Sequence, residues 1–127
     1  MAKEESKIIY VKPKISYHSF SSKITDTEVL FEVYKFKDSL FIWIGDKDCP
    51  KLSDISLAMV SKFSSTPIST KVMGNPIQMA STTISVKLSK KFQKPVYVSF
   101  NLIEDRFTMP AVYEAINEEF VKNSKKF

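Results

Sequence analysis

The chain has few of the residues that chemistry usually needs. Its 127 residues hold one histidine, His18, one cysteine, Cys49, and two glycines, Gly45 and Gly74. A single cysteine excludes an intrachain disulfide, and one cysteine with one histidine makes no structural zinc site. Two isolated glycines cannot assemble a Walker loop or a dinucleotide fingerprint. Each follows an apolar segment and reads as a turn residue. No apolar run approaches the length of a membrane helix, about eighteen residues or more. The opening Met1-Ala2-Lys3-Glu4-Glu5 is charged and no apolar h-region follows it. No secretory leader is therefore expected, and the expected compartment is the cytoplasm, with the nucleus also open to it.

Catalytic constellations are equally scarce. His18 lies in a strand-like stretch among Ser and Tyr, where a hydrogen-bonded or solvent-facing imidazole is the ordinary reading and a general base the sharper one. Cys49 stands in a charged loop between Lys47 and Lys51, the setting in which a nucleophilic thiol would be sought, but no second thiol accompanies it. Glu104-Asp105 reads as a solvated turn, with cation binding as the alternative. Glu114, Glu118 and Glu119 fall on the polar side of a helix, where Glu118 precedes Lys122 by one turn. Neither catalytic residues, nor a cofactor, nor a metal is expected, and the chain reads as no enzyme. The net charge of +5 comes with lysines spread along the chain rather than gathered in a stripe. That is the pattern of a solvated surface.

What the chain has is apolar strand. Hydrophobic residues make up 43% and aromatics 13%, enough for the core of one domain. Residues 1–12 read as a flexible arm around Ile8-Ile9-Tyr10-Val11, itself a marginal strand, and residues 13–127 as a single α+β domain. Leu40-Phe41-Ile42-Trp43-Ile44 is wholly apolar. As a strand it points Leu40, Ile42 and Ile44 to one face and Phe41 and Trp43 to the other, so it needs cover on both. Residues 15–24 and 28–36 alternate before it. Residues 53–63 alternate after it, with a helix as the other possibility. Together these predict an antiparallel meander of about four strands. Residues 66–73 read as a loop or short extended stretch. Asn75-Pro76 is a helix start, followed by Ile77, Ala80, Ile84, Leu88 and Phe92 on one helical face. Lys94-Pro95 ends that helix. Residues 96–102 form one later strand, and Met109, Val112, Ile116 and Phe120 mark a second helix. Met59, Met73, Met79 and Met109 read as packing residues.

The elements do not cover themselves. Two helices dock on one sheet face. The aliphatic set Ile42, Ile44, Val98 and Phe100 suits that side. The other face then shows Phe41, Trp43 and Tyr97, with Leu30 and Tyr34 alongside. Each large side chain is worth about 1.5–3 kcal/mol when buried, and several left wet mark an interaction surface. Cover by the N-terminal segment or by loops is the bland alternative, and the two faces could also be exchanged. Phe41, Trp43 and Tyr97 are thus the candidate partner interface.

The same residues carry a resemblance. Asp38-Ser39-Leu40-Phe41-Ile42-Trp43-Ile44-Gly45, Leu57-Ala58-Met59-Val60-Ser61-Lys62-Phe63, Pro67-Ile68-Ser69-Thr70 and Pro95-Val96-Tyr97-Val98-Ser99-Phe100-Asn101-Leu102 resemble the proteasome assembly chaperone 4 family in order and spacing. The likeness runs from about residue 16 to the C-terminus. Residues 46–52 and 78–83 depart from it most. The resemblance implies a small non-enzymatic chaperone that pairs with a similarly folded one, proteasome assembly chaperone 3. The heterodimer would act early in forming the α-subunit ring of the proteasome core particle and leave before the mature particle is complete. It also favours the strand reading of residues 53–63. From a different class, a single-stranded nucleic-acid binder would use the same sheet aromatics with the scattered lysines. Its binding would fall steeply with salt.

Overall fold

A computed structural model describes residues 8–127. Six strands form one sheet: β1 (Ser16–Ile24), β2 (Thr27–Lys35), β3 (Leu40–Asp46), β4 (Ile55–Met59), β5 (Ile68–Met73) and β6 (Val96–Phe100). Helix α1 (Ala80–Phe92) precedes β6, α2 (Thr108–Lys122) follows it, and a 3-10 turn, Ser124–Lys126, comes last. The architecture is α+β, as expected. The expected arm falls partly outside the described residues; within residues 8–12, Ile8, Ile9, Tyr10 and Val11 join no strand and are exposed.

The sheet departs from a simple meander. Its order is β1-β2-β3-β6-β4-β5. β1, β2 and β3 are antiparallel neighbours, but β6 lies between β3 and β4 and runs parallel to β3. Burial explains the insertion. β3 and β6 are the most apolar strands, and only central positions offer cover on both sides. Leu40, Ile42 and Ile44 stand level with Val96, Val98 and Phe100, all within the core. Keeping β4 beside β3 would have left β6 near an edge. The stretch 66–73, read as a loop or short extended piece, supplies β5, the outermost strand beside β4. Residues 53–63 do form a strand, shortened to Ile55–Met59.

Alternation decides what each strand gives to the core. Val29, Phe31 and Val33 of β2 join Ile42, Ile44, Val98 and Phe100 against Ile84 and Leu88 of α1 and Val112 and Ile116 of α2. The aliphatic face is therefore the helix face. At its margin Phe20, Phe31, Phe92, Phe120 and Phe127 stack in a chain of aromatic contacts 4.6–6.4 Å apart, centroid to centroid. His18 on β1 meets the Glu119 carboxylate on α2 at 2.8 Å, which ties the edge strand to the helix.

Helix α1 begins later than Asn75-Pro76 suggests. The Asn75 side chain accepts the Ile77 N–H at 3.0 Å and closes a local turn, while Ile77 is exposed. The helix starts where a polar seam holds it. Ser56 of β4 bonds Ser81 at 2.7 Å and Thr82 at 3.0 Å. Lys71 of β5 donates to Asp54 at 2.6 Å, to the Gln78 carbonyl at 2.8 Å and to Ser81 at 3.1 Å. Gln93 closes α1 in the left-handed region at φ 55°, its N–H bonded to the Ser89 carbonyl. At α2, Asp105 accepts the N–H groups of Phe107 and Thr108 at 2.8 and 2.7 Å. The solvated-turn carboxylate is a helix cap.

Candidate partner-binding face

With both helices on the aliphatic side, the opposite face of the sheet carries the side chains of the other alternation. Register aligns them into a row. Tyr17 of β1 stands opposite Tyr34 of β2, Tyr34 opposite Phe41 of β3, Phe41 opposite Tyr97 of β6, and Tyr97 opposite Leu57 of β4. Ring centroids along the row are 5.1, 5.9 and 6.4 Å apart, the spacing of interacting aromatic pairs. Tyr34, Phe41, Tyr97 and Leu57 are half-buried and Tyr17 is exposed. Beyond Leu57 the same face continues through Ile55, Met59 and Ile68 to Met73, which stands opposite Ile55. Met59 and Met73 are exposed there rather than packed inside, as is Met79 before α1, whereas Met109 does pack against the core.

Trp43 shares the face but is mostly covered, with 9% of its surface exposed. Its indole N–H donates to the Lys51 carbonyl at 2.8 Å, so the loop 47–52 folds over it. Beneath it lies Gly45. A methyl group at Gly45 would sit 2.4 Å from the indole Cη2. Gly45 is thus no turn residue: it is a paired position of β3, opposite Leu30, kept bare so that the ring can lie flat. The sequence places Phe41, Trp43 and Tyr97 together, and the structure sets them on one face, with Trp43 as a covered floor and Phe41 and Tyr97 as half-exposed members. Tyr17 and Leu57 extend the row, and only strand register reveals them.

A carboxylate interrupts this apolar surface. Glu32 stands on β2 between Leu30 and Tyr34, opposite Ser19 and Trp43. Tyr17 and Tyr34 each donate a hydroxyl to it, at 3.1 Å. Burial, then the bond to Glu32 and its charge, push the Tyr34 phenol above its usual pKa.

The residues with chemical potential elsewhere do not converge. His18 is on the helix side with Glu119. Cys49 is exposed and lines a cleft of about 490 Å³ with Asp46, Lys51 and Asp105 among its walls. Among the described residues no group of three or more His, Cys, Asp or Glu side chains is placed to hold a metal ion.

Comparison with known proteins agrees with this architecture. Residues 28–102 match the family model of proteasome assembly chaperone 4. The human proteasome assembly chaperone 4 is 33% identical over 125 residues, covering 97% of this chain and 99% of its own. The mouse protein is 34% identical over 115 residues, covering 89% and 91%. A chain from the crystal structure of a novel chaperone complex for yeast 20S proteasome assembly superposes with a TM-score of 0.63 at 14% identity, over 89% of this chain and 97% of that one. At that identity the match speaks for the fold, and the fold and the sequence relatives point the same way. The chain belongs to the proteasome assembly chaperone 4 family.

Proposed function

We propose that this chain is a non-enzymatic proteasome assembly chaperone that pairs through the Tyr17–Tyr34–Phe41–Tyr97–Leu57 row with a related small chaperone, a proteasome assembly chaperone 3-like subunit. The pair promotes early assembly of the core-particle α-ring and contacts α subunits in the cytoplasm, and in the nucleus as well. The observation that carries this reading is the row itself: four aromatic rings and a leucine in register across five strands, on the face without helices. Half-buried aromatics of this kind are typical interface anchors. The fold neighbour that comes from a chaperone complex supports the same reading.

Nucleic acid is a poorer occupant of this face. Glu32 puts a negative charge on the face, Lys35 and Lys71 turn to the helix side, to the Lys125 carbonyl and to Asp54, and Lys23, Lys47 and Lys51 lie only at the margin.

The test is co-expression with the proteasome assembly chaperone 3-like subunit, followed by sedimentation of the purified mixture. Phe41→Ala and Tyr97→Ala should weaken pairing while leaving the melting temperature of the single chain close to wild type. Wild-type pairing by both variants would overturn the assignment of this face.

A further inference from the structure

Glu32 is the one acidic side chain within the aromatic row, and its surroundings define what a partner must bring. Tyr17 donates to one carboxylate oxygen and Tyr34 to the other, each at 3.1 Å. Two hydroxyls meet only two of the roughly four acceptor sites of an ionised carboxylate. Among the described residues no cation reaches it: the ion pairs there are His18–Glu119, Lys47–Glu28 and Lys71–Asp54. In the single chain Glu32 is half-exposed, and water can fill the remaining sites. Once a partner covers the row, that water is displaced, and an unpaired carboxylate there opposes binding.

We propose that the partner presents a lysine or arginine side chain to Glu32, and that this requirement selects a different chain over a second copy of this one. The inference rests on the pairing face proposed above. Among the described residues a second copy offers cations only at the margins of the face: Lys23, Lys47, and Lys51 in the loop over Trp43. The strand positions nearest Glu32 on this face, Ser19, Ser21, Leu30, Trp43 and Ser99, are uncharged. Lys23, at the end of β1, stands opposite Glu28, and Lys47 is already bonded to Glu28. Self-pairing across the row would bring two Glu32 carboxylates under cover, with the described lysines only at the margins of the face. Electrostatic selection of this kind discriminates partners through the cost of the wrong one.

The experiment measures the affinity of the purified chain for the purified chaperone 3-like subunit at about 50 mM and about 300 mM salt. Glu32→Gln, Glu32→Lys and Phe41→Ala are compared, each checked for a wild-type melting temperature. Glu32→Gln should bind about thirtyfold more weakly and lose part of the salt dependence. Glu32→Lys should bind more weakly still. Glu32→Gln alone should self-associate more than the wild-type chain in sedimentation. If Phe41→Ala weakens pairing but Glu32→Gln keeps wild-type affinity, or weakens it without altering the salt dependence, the face is right and the matching cation is wrong. If Glu32→Gln self-associates no more than wild type, the selection against a second copy is wrong. If Phe41→Ala pairs as wild type, the face itself is wrong, and this proposal falls with it.

Discussion

At the scale of single residues, both glycines are set by neighbours rather than by turns alone. Gly74 has φ +113°, and a side chain there would also meet Asp54 at 2.7 Å. Gly45 has no unusual backbone; it is bare because the Trp43 ring occupies its side-chain space. Gly45→Ala should displace the indole and break its bond to the Lys51 carbonyl. The expected cost is about 1–3 kcal/mol, the range for forcing an extra carbon into a packed site. Urea unfolding followed by tryptophan fluorescence would report both the loss and the altered ring environment, since Trp43 is the only tryptophan. Asp105 gives a pH-dependent counterpart. Its bonds from the Thr108 and Phe107 N–H groups hold its carboxyl below the usual range. A lowered folded-state pKa stabilises the fold fully above the ordinary value, about 3.9, and the contribution is lost as pH falls through the lower folded value. Asp105→Asn keeps an acceptor but loses the charge. It should melt below wild type at pH 7, and the difference should close in acid below about pH 4.

At the scale of elements, the junction of β4, β5 and α1 depends on a buried ion pair. Lys71 and Asp54 side chains are 14% and 7% exposed. Lys71 also spends donors on the Gln78 carbonyl and Ser81, so one ammonium joins the outermost strand, the β4 entry and the first turn of α1. Lys71→Met should cost about 3 kcal/mol, because it strands the Asp54 carboxylate. Adding Asp54→Asn should return part of that loss, since the buried charge goes with it. Denaturant titration of the two single variants and the double variant gives the coupling directly. Strand alternation and the second helix were legible in sequence because their apolar periods are regular. The start of α1 was not. Asn75-Pro76 carries a valid cap signal, but that signal is spent on a local turn at Ile77. The helix begins where Ser56 and Lys71, distant in sequence, reach Ser81.

At the scale of the whole molecule, the two sheet faces divide the work. The aliphatic face supports the fold and the aromatic face is offered outward. Truncations on the two faces should therefore separate. If the aromatic face is the pairing face proposed above, Phe41→Ala should weaken pairing with the proposed chaperone 3-like subunit by tenfold or more, about 1.4 kcal/mol or above, with little change in the melting temperature of the single chain. Val98→Ala, fully buried against the helices, should instead lower the melting temperature, by about 1–3 kcal/mol in stability. Sedimentation and thermal unfolding on the same preparations check both. Trp43→Ala crosses the division, because the ring lies on the outer face yet is sealed by the loop from Lys51, so both readouts should fall.

The sequence by itself determined the composition of each face. Alternation with period two is a property of consecutive residues, and so the partition of Ile42, Ile44, Val98 and Phe100 from Phe41, Trp43 and Tyr97 was readable from the chain. It also determined the scarcity of catalytic groups. Only the tertiary structure decided which strands are neighbours. Inserting β6 parallel to β3 is a choice among sheet orders with equal local periodicity, made by where two-sided burial is available. That choice put Tyr97 beside Phe41 and set Leu57 at the end of the row, and the register of β1 on β2 brought Tyr17 to Glu32, because pairing register links residues that no local pattern connects.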